Sequence, residues 1–150
     1  MAGKTTFLSD KVLNMMAAGS FPTVTDVPGT LYVALLTTNP SADDMTGAVE
    51  ATYTNYVRAS IVSTSTGWNA PSGTNPRQIS NKLSLSFGTA GSGPTTITGF
   101  ALCVHSAAGG GAVTTSGEVL YWNSLTGGNK TVNNGDPVSA SAGAIVITED

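Results

Sequence analysis

The sequence predicts a mainly β protein, an antiparallel β-sandwich or small barrel of about seven strands with one N-terminal α-helix. Three observations carry this expectation. Several short segments alternate apolar and polar residues with a period of two, as in Leu83, Leu85 and Phe87 against Ser84 and Ser86. Clusters of Gly, Pro, Asn and Ser separate those segments. A helical period occurs only near the N-terminus, where Leu8, Val12, Met15 and Met16 fall on one stripe.

The helix is expected from about Thr6 to Ala18, with Thr5 or Thr6 able to cap its start and Gly19 able to end it. Pro22 and Pro28 then impose a non-helical connection. The first strand runs from Leu31 to Thr37 and stops at Asn39-Pro40. Tyr56 to Ser63 follows, with Val57, Ala59 and Ile61 on one face and Arg58 and Ser60 on the other. The segment at Leu83–Phe87, then Ile97 to Val104, Glu118 to Trp122, Pro137 to Ser141 and Ala144 to Thr148 complete the set. Asn134-Gly135-Asp136 reads as a tight turn. Two long polar loops remain, Thr38 to Asn55 and Thr64 to Asn81. Loops of that length without structure of their own are usually functional or ordered by a partner. No internal repeat or domain boundary is visible, so residues 1–150 are expected to form one structural domain: a helix within 1–20 and a β-rich body over 30–150.

Composition points to assembly. Charged residues make up 10% of the 150-residue chain, against about 25% in an average domain. Ser, Thr, Gly and Asn take their place, and hydroxyls cost far less to desolvate than ammonium or carboxylate groups. Such a surface suits protein contacts better than life as a free monomer. A secreted adhesion domain would share this composition. The formal net charge of −3 and the scatter of six Lys and Arg argue against a nucleic-acid partner. No apolar run is long enough to span a membrane, and the N-terminus does not read as a signal peptide, so synthesis in a cytoplasm is expected.

The residues offer no catalytic constellation, so no enzymatic activity, cofactor or metal is expected. Gly3-Lys4-Thr5 lacks the upstream glycine and strand of a phosphate-binding loop. His105 is the sole histidine and reads as a strand-end residue; Cys103, among Phe100, Leu102 and Val104, reads as a small hydrophobe. Asp43, Asp44 and Glu50 do not match a calcium-loop spacing and read as a solvated acidic loop. Asn129-Lys130-Thr131 is a formal glycosylation sequon that carries no weight without export. Tyr32, Tyr53, Tyr56, Trp68, Tyr121 and Trp122 could build a sugar-stacking platform, but most sit on or beside strands, where packing is the default. Trp68 stands apart in a polar loop and reads first as an inter-subunit anchor.

Five stretches in order resemble a family of small virion proteins of tailed bacteriophages, described as capsid decoration (cement) or tail-fibre-like proteins. They are Phe7–Leu13, Thr30–Pro40, Glu50 with Tyr56-Val57-Arg58, Ile97–Leu102 followed by Val119–Trp122, and Val132–Val138 leading into Ala142–Ile147. The chain departs from that pattern in the Thr64–Asn81 loop and in a Gly109–Ser116 insertion. The resemblance implies a β-rich, non-catalytic virion subunit, commonly trimeric when it decorates a shell. The expected role is a capsid decoration protein that binds and stabilises the assembled head from outside, with the major capsid protein and its own copies as partners. The alternative is a tail fibre, tip or adaptor subunit, with other tail proteins as partners and possible host-surface binding. No nucleic-acid or membrane partner is expected. The assembly contacts expected are Phe7, Leu8 and Val12 on the helix, with Trp68 and Arg77 in the second loop.

Overall fold

The computed structural model describes residues 3–17, 29–74, 76–106 and 119–149; the side chains at 3, 4, 7, 8, 11, 12, 14, 15 and 149 lie outside that description. Its centre is one antiparallel sheet. β2 (Thr30–Thr38) pairs with β8 (Gly99–Cys103), which pairs with β9 (Val119–Ser124). The two-residue strand β1 (Gly3–Lys4) closes the outer edge of β9. The other side of β2 is shared: β4 (Ala59–Val62) pairs with its first half and β3 (Val49–Glu50) with its end. A segment of helical backbone, Thr6–Ala17 (α1), lies against β9.

Three two-stranded ribbons complete the architecture: β5 (Arg77–Ser80) with β12 (Val146–Glu149), β6 (Leu85–Thr89) with β11 (Pro137–Ala140), and β7 (Thr95–Ile97) with β10 (Lys130–Val132). They supply the opposing wall of the main core, where Leu85, Phe87, Ile97, Val132 and Ile147 meet Leu31, Val33, Leu35, Phe100 and Leu102 of the sheet. Each such side chain contributes roughly 1.5–3 kcal/mol by leaving water.

The far face of the sheet buries a second, smaller cluster. Ala34, Leu36, Ala101, Cys103 and Val119 pack under Met45 and Ala48 of the loop before β3, with Tyr32 and Trp122 at its margin. Because both faces are covered, β2 and β8 read as near-continuous apolar runs. The surface strands β4 and β6 alternate buried with exposed residues. Gly99 has no alternative at its position, since a Cβ there would run into Asn39 Oδ1 and the Asn123 carbonyl.

The mainly β, antiparallel expectation holds, and several details of it change. Among the described residues no sheet closes into a barrel, and the strands outnumber the expected seven. Ile97–Val104 is not one strand. Thr98 breaks it by sending its amide to the Leu36 carbonyl (2.7 Å) and its hydroxyl to Asn39 Oδ1 (3.0 Å), so β7 joins a ribbon while β8 stays in the sheet. The Thr64–Asn81 segment is not bare loop, since it carries β5 and two isolated bridges, Trp68 with Asn81 and Ser72 with Gln78. The Asn134-Gly135 turn is present, with Gly135 at φ 91° and the Asp136 amide donating to the Asn133 carbonyl. It connects strands of two different ribbons and is not a hairpin.

Two buried polar clusters tie the loops to this frame. Glu50 is 1% exposed and Arg58 6%. Arg58 donates from Nε to Glu50 Oε1 and from Nη2 to Oε2, both at 2.8 Å, and from Nη1 to the His105 carbonyl at 2.9 Å. Tyr56 donates its hydroxyl to Glu50 Oε1 (2.9 Å) and accepts the Leu35 amide (2.9 Å). Burial opposes the Arg58 charge, but the bonds to Glu50 outweigh it and hold the guanidinium above its ordinary range. Burial first, and then the Glu50 carboxylate, push the Tyr56 phenol upward as well. This corrects two expectations. Glu50 is no solvated loop acid, and Val57, not Arg58, faces water. The apolar alternation fails there because the strand begins only at Ala59 and the ion pair needs Arg58 inside.

The second cluster centres on Asn81, which is fully buried. Its Nδ2 donates to the carbonyls of Leu83 and Ser141 (2.8 and 2.9 Å), and its Oδ1 accepts the Ile145 amide (2.8 Å). Its own carbonyl takes the Gly143 amide and its amide donates to the Ile145 carbonyl. Asn81 therefore fastens the end of the Thr64–Asn81 segment to the turn before β12, and β6 starts only at Leu85. Leu83, expected on a buried face, is 64% exposed.

Candidate assembly surface

The Asn81 clamp positions the turn that carries Trp68. The Trp68 amide bonds the Thr64 carbonyl (3.1 Å), the Asn69 amide bonds the Ser80 carbonyl (2.9 Å), and the Lys82 amide bonds the Gly67 carbonyl (2.8 Å). A side chain at Gly67 would collide with the Val62 backbone, which is why the turn lies flat against β4. Trp68 is thereby set half-buried over a cleft between the sheet and the β5–β12 ribbon.

The cleft measures about 480 Å³. Leu31, Leu102, Leu120, Ile79 and Ile147 form its apolar floor, and Trp68, Tyr121, Pro71, Gln78 and Arg77 its walls. Among the described residues, Arg77 is the one charged side chain lining it. Its guanidinium reaches only backbone carbonyls among the described residues, Nη1 to Gly73 (3.4 Å) and Nη2 to Pro71 (3.3 Å). The Ser63 hydroxyl, also at the cleft, is buried without a hydrogen-bond partner there. Lys82 extends the positive charge, its ammonium bonded to the Ser65 carbonyl (3.2 Å) on the Trp68 turn. An open apolar hollow with an aromatic wall and a cation at its rim has the makings of a contact hot spot.

Of the five expected assembly contacts, the structure brings two together: Trp68 and Arg77 line the same cleft. The side chains of Phe7, Leu8 and Val12 lie outside the described residues, as does that of Met15, while Met16 is 73% exposed. Tyr121, Gln78 and Leu120 were missed as cleft residues. Nothing local marks them, because the hollow forms only when β9 and β5 are brought face to face. The aromatic residues do not form one platform. Tyr53 and Tyr56 meet edge to face in the core, with centroids 5.2 Å apart, and Tyr53 donates to the Phe87 carbonyl. Burial pushes the Tyr53 phenol up to about 12.

The remaining candidates are accounted for by packing or exposure. Cys103 is wholly buried in the second cluster, and His105 lies exposed just past the end of β8. Among the described residues no three of His, Cys, Asp and Glu converge to hold a metal ion, and no helix is long and apolar enough to cross a membrane.

Comparison with known families gives a match over residues 3–148 to the family described as podophage GP4 fiber I protein gp80. The chain belongs to this family. The resemblance to phage virion proteins read from the sequence therefore holds, with its emphasis moved toward fibres. No curated protein matches the chain.

Proposed function

We propose that this chain is a non-catalytic structural subunit of a podophage fibre, held in the virion by contacts with copies of itself and with neighbouring tail proteins. The family match across residues 3–148 carries the reading. Three further features support it: a mainly β frame, a surface poor in charge, and an open apolar cleft that unites Trp68 with Arg77. A homotrimer is the oligomer we propose, since a cyclic assembly buries the same pair of patches in every copy.

The capsid decoration role, with the major capsid protein as partner, is the competing proposal. Copy number separates the two. Quantitative mass spectrometry of purified virions, with the major capsid protein as internal standard, is expected to find tens of copies or fewer. A count on the order of hundreds, as symmetric coverage of a shell requires, would replace the fibre reading with decoration.

A further inference from the structure

Among the exposed charges whose side chains are described, Arg77 and Lys82 lie on one face of the sheet and Asp43 and Asp44 on the other. On the face that carries the cleft stand Arg77 and Lys82, neither of them bonded to an acid among the described residues. Across the sheet, the loop of residues 41–48 covers the second apolar cluster through Met45 and Ala48 and turns Asp43 and Asp44 outward, both exposed. Beside that loop runs the N-terminal segment, joined to it by the Thr6 amide on the Asp43 carbonyl (3.1 Å). This segment presents Asp10, also exposed, with Leu13 and Met16 at 61% and 73% exposure. One face is thus an apolar hollow with a positive rim. The loop on the other carries two exposed acids, beside the exposed Leu13 and Met16 of the N-terminal segment.

The acidic loop is built to hold its shape. Met45 sits at φ 66°, a left-handed conformation that a side chain rarely adopts, and its burial at 3% exposure holds it there. The Ser41 amide and hydroxyl both bond the Thr46 carbonyl, and the Thr46 amide donates to Asp44 Oδ1 at 2.9 Å. Those bonds from Thr46 hold the Asp44 carboxyl below its ordinary range, so it is charged at neutral pH. A preordered acidic loop loses little entropy on docking.

We propose that copies of this chain associate head to tail, the acidic face around Asp43 and Asp44 of one copy seating on the Trp68–Arg77 cleft of the next. Such a contact is heterologous. It closes into a ring where the rotation between copies allows and runs on as a stack where it does not. Opposite charge selects the register and speeds the encounter, and the apolar hollow supplies the burial. The inference rests on the self-associating reading above, but the copy count of the virion does not depend on it, so the two can fail separately.

Two charge-reversed full-length variants test it. Asp43→Lys/Asp44→Lys removes the acidic face, and Arg77→Glu/Lys82→Glu removes the basic rim; all four side chains are exposed. Circular dichroism and thermal melts verify folding, and the milder pairs Asp43→Asn/Asp44→Asn and Arg77→Gln/Lys82→Gln substitute for any variant that melts early. Sedimentation velocity is expected to show wild-type oligomers that weaken with salt. Each variant alone should dissociate about tenfold more readily. An equimolar mixture should regain oligomers larger than either variant forms alone, because the reversed loop of one variant is again opposite in charge to the reversed rim of the other, and each variant keeps one native face. A wild-type chain that stays monomeric at low salt, variants that assemble as the wild type does, or a mixture no larger than its components would each overturn the proposal.

Discussion

Arg58 and Arg77 carry the same guanidinium and are put to opposite use. Arg58 is withdrawn from water into a bidentate pair with Glu50, and its Nη1 donates to the His105 carbonyl. Arg77 stands exposed at a cleft rim with two long bonds to carbonyls of its own loop. The difference is one of desolvation. The cost of burying Arg58 has already been met within the fold, and it rules out any structure in which β3 and β4 do not share the edge of β2. Arg77 is exposed and keeps its hydration. In a chain with so few charges, the buried pair fixes how β3 and β4 meet β2, while Arg77 and Lys82 stay at the surface.

The contrast can be broken most severely at Glu50. Glu50→Gln leaves Arg58 charged and buried without its counter-ion and is expected to cost about 3–5 kcal/mol, read as a loss of thermal or urea stability. A double change, Glu50→Gln with Arg58→Met, should recover part of that loss. If the single variant melts within a degree of wild type, the pair is not the anchor described.

Asn81→Ala comes next. It strips the Ile145 amide and the Leu83 and Ser141 carbonyls of their partner, an expected loss of about 2–3 kcal/mol. Because the Asn81 side chain anchors the strand end whose backbone pairs with the Trp68 turn, the variant should weaken association as well. Loss of stability with unchanged association would separate the clamp from the cleft.

The tyrosines around the Glu50 cluster add a pH dependence. Tyr53 has its phenol raised from 10.0 to about 12 by burial, so the unfolded chain ionises first as pH climbs. Its contribution to stability is complete below about pH 10 and is lost as pH rises through about 12. Urea titrations at pH 8, 10 and 11.5 should show falling stability over that window, and Tyr53→Phe should flatten the fall.

The smallest effect on the fold belongs to the cleft. Trp68→Ala is expected to change stability by less than about 1 kcal/mol, since Trp68 is only half-buried, while weakening association about tenfold. Sedimentation compared with a melt of the same sample separates these. A large stability loss with intact association would return Trp68 to the core.

Much of the frame was legible from residue pattern. The alternation at Leu85 and Phe87, the unbroken apolar runs of β2 and β8, and the Asn134-Gly135 turn follow from local rules of period and backbone freedom. The misreadings share one cause. Glu50 and Val57 look like loop acid and buried face until Arg58, eight residues beyond Glu50, turns inward to meet it. Leu83 looks buried until Asn81 commits its side chain to residues sixty positions away. Trp68 and Arg77 could be singled out as an aromatic and a cation in a polar segment, but that they line one hollow with Tyr121 could not.

By itself the sequence determined what depends on near neighbours: a mainly β antiparallel protein, poor in charge, and a virion protein by family pattern. Tertiary structure decided what depends on distant residues meeting. Among the described residues it split the strands between one sheet and three ribbons, buried one ion pair, and left Asp43 and Asp44 across the sheet from Arg77 and Lys82. The physical reason is that burial and charge pairing belong to positions in space, and a one-dimensional period fixes only which way a side chain points from its own backbone.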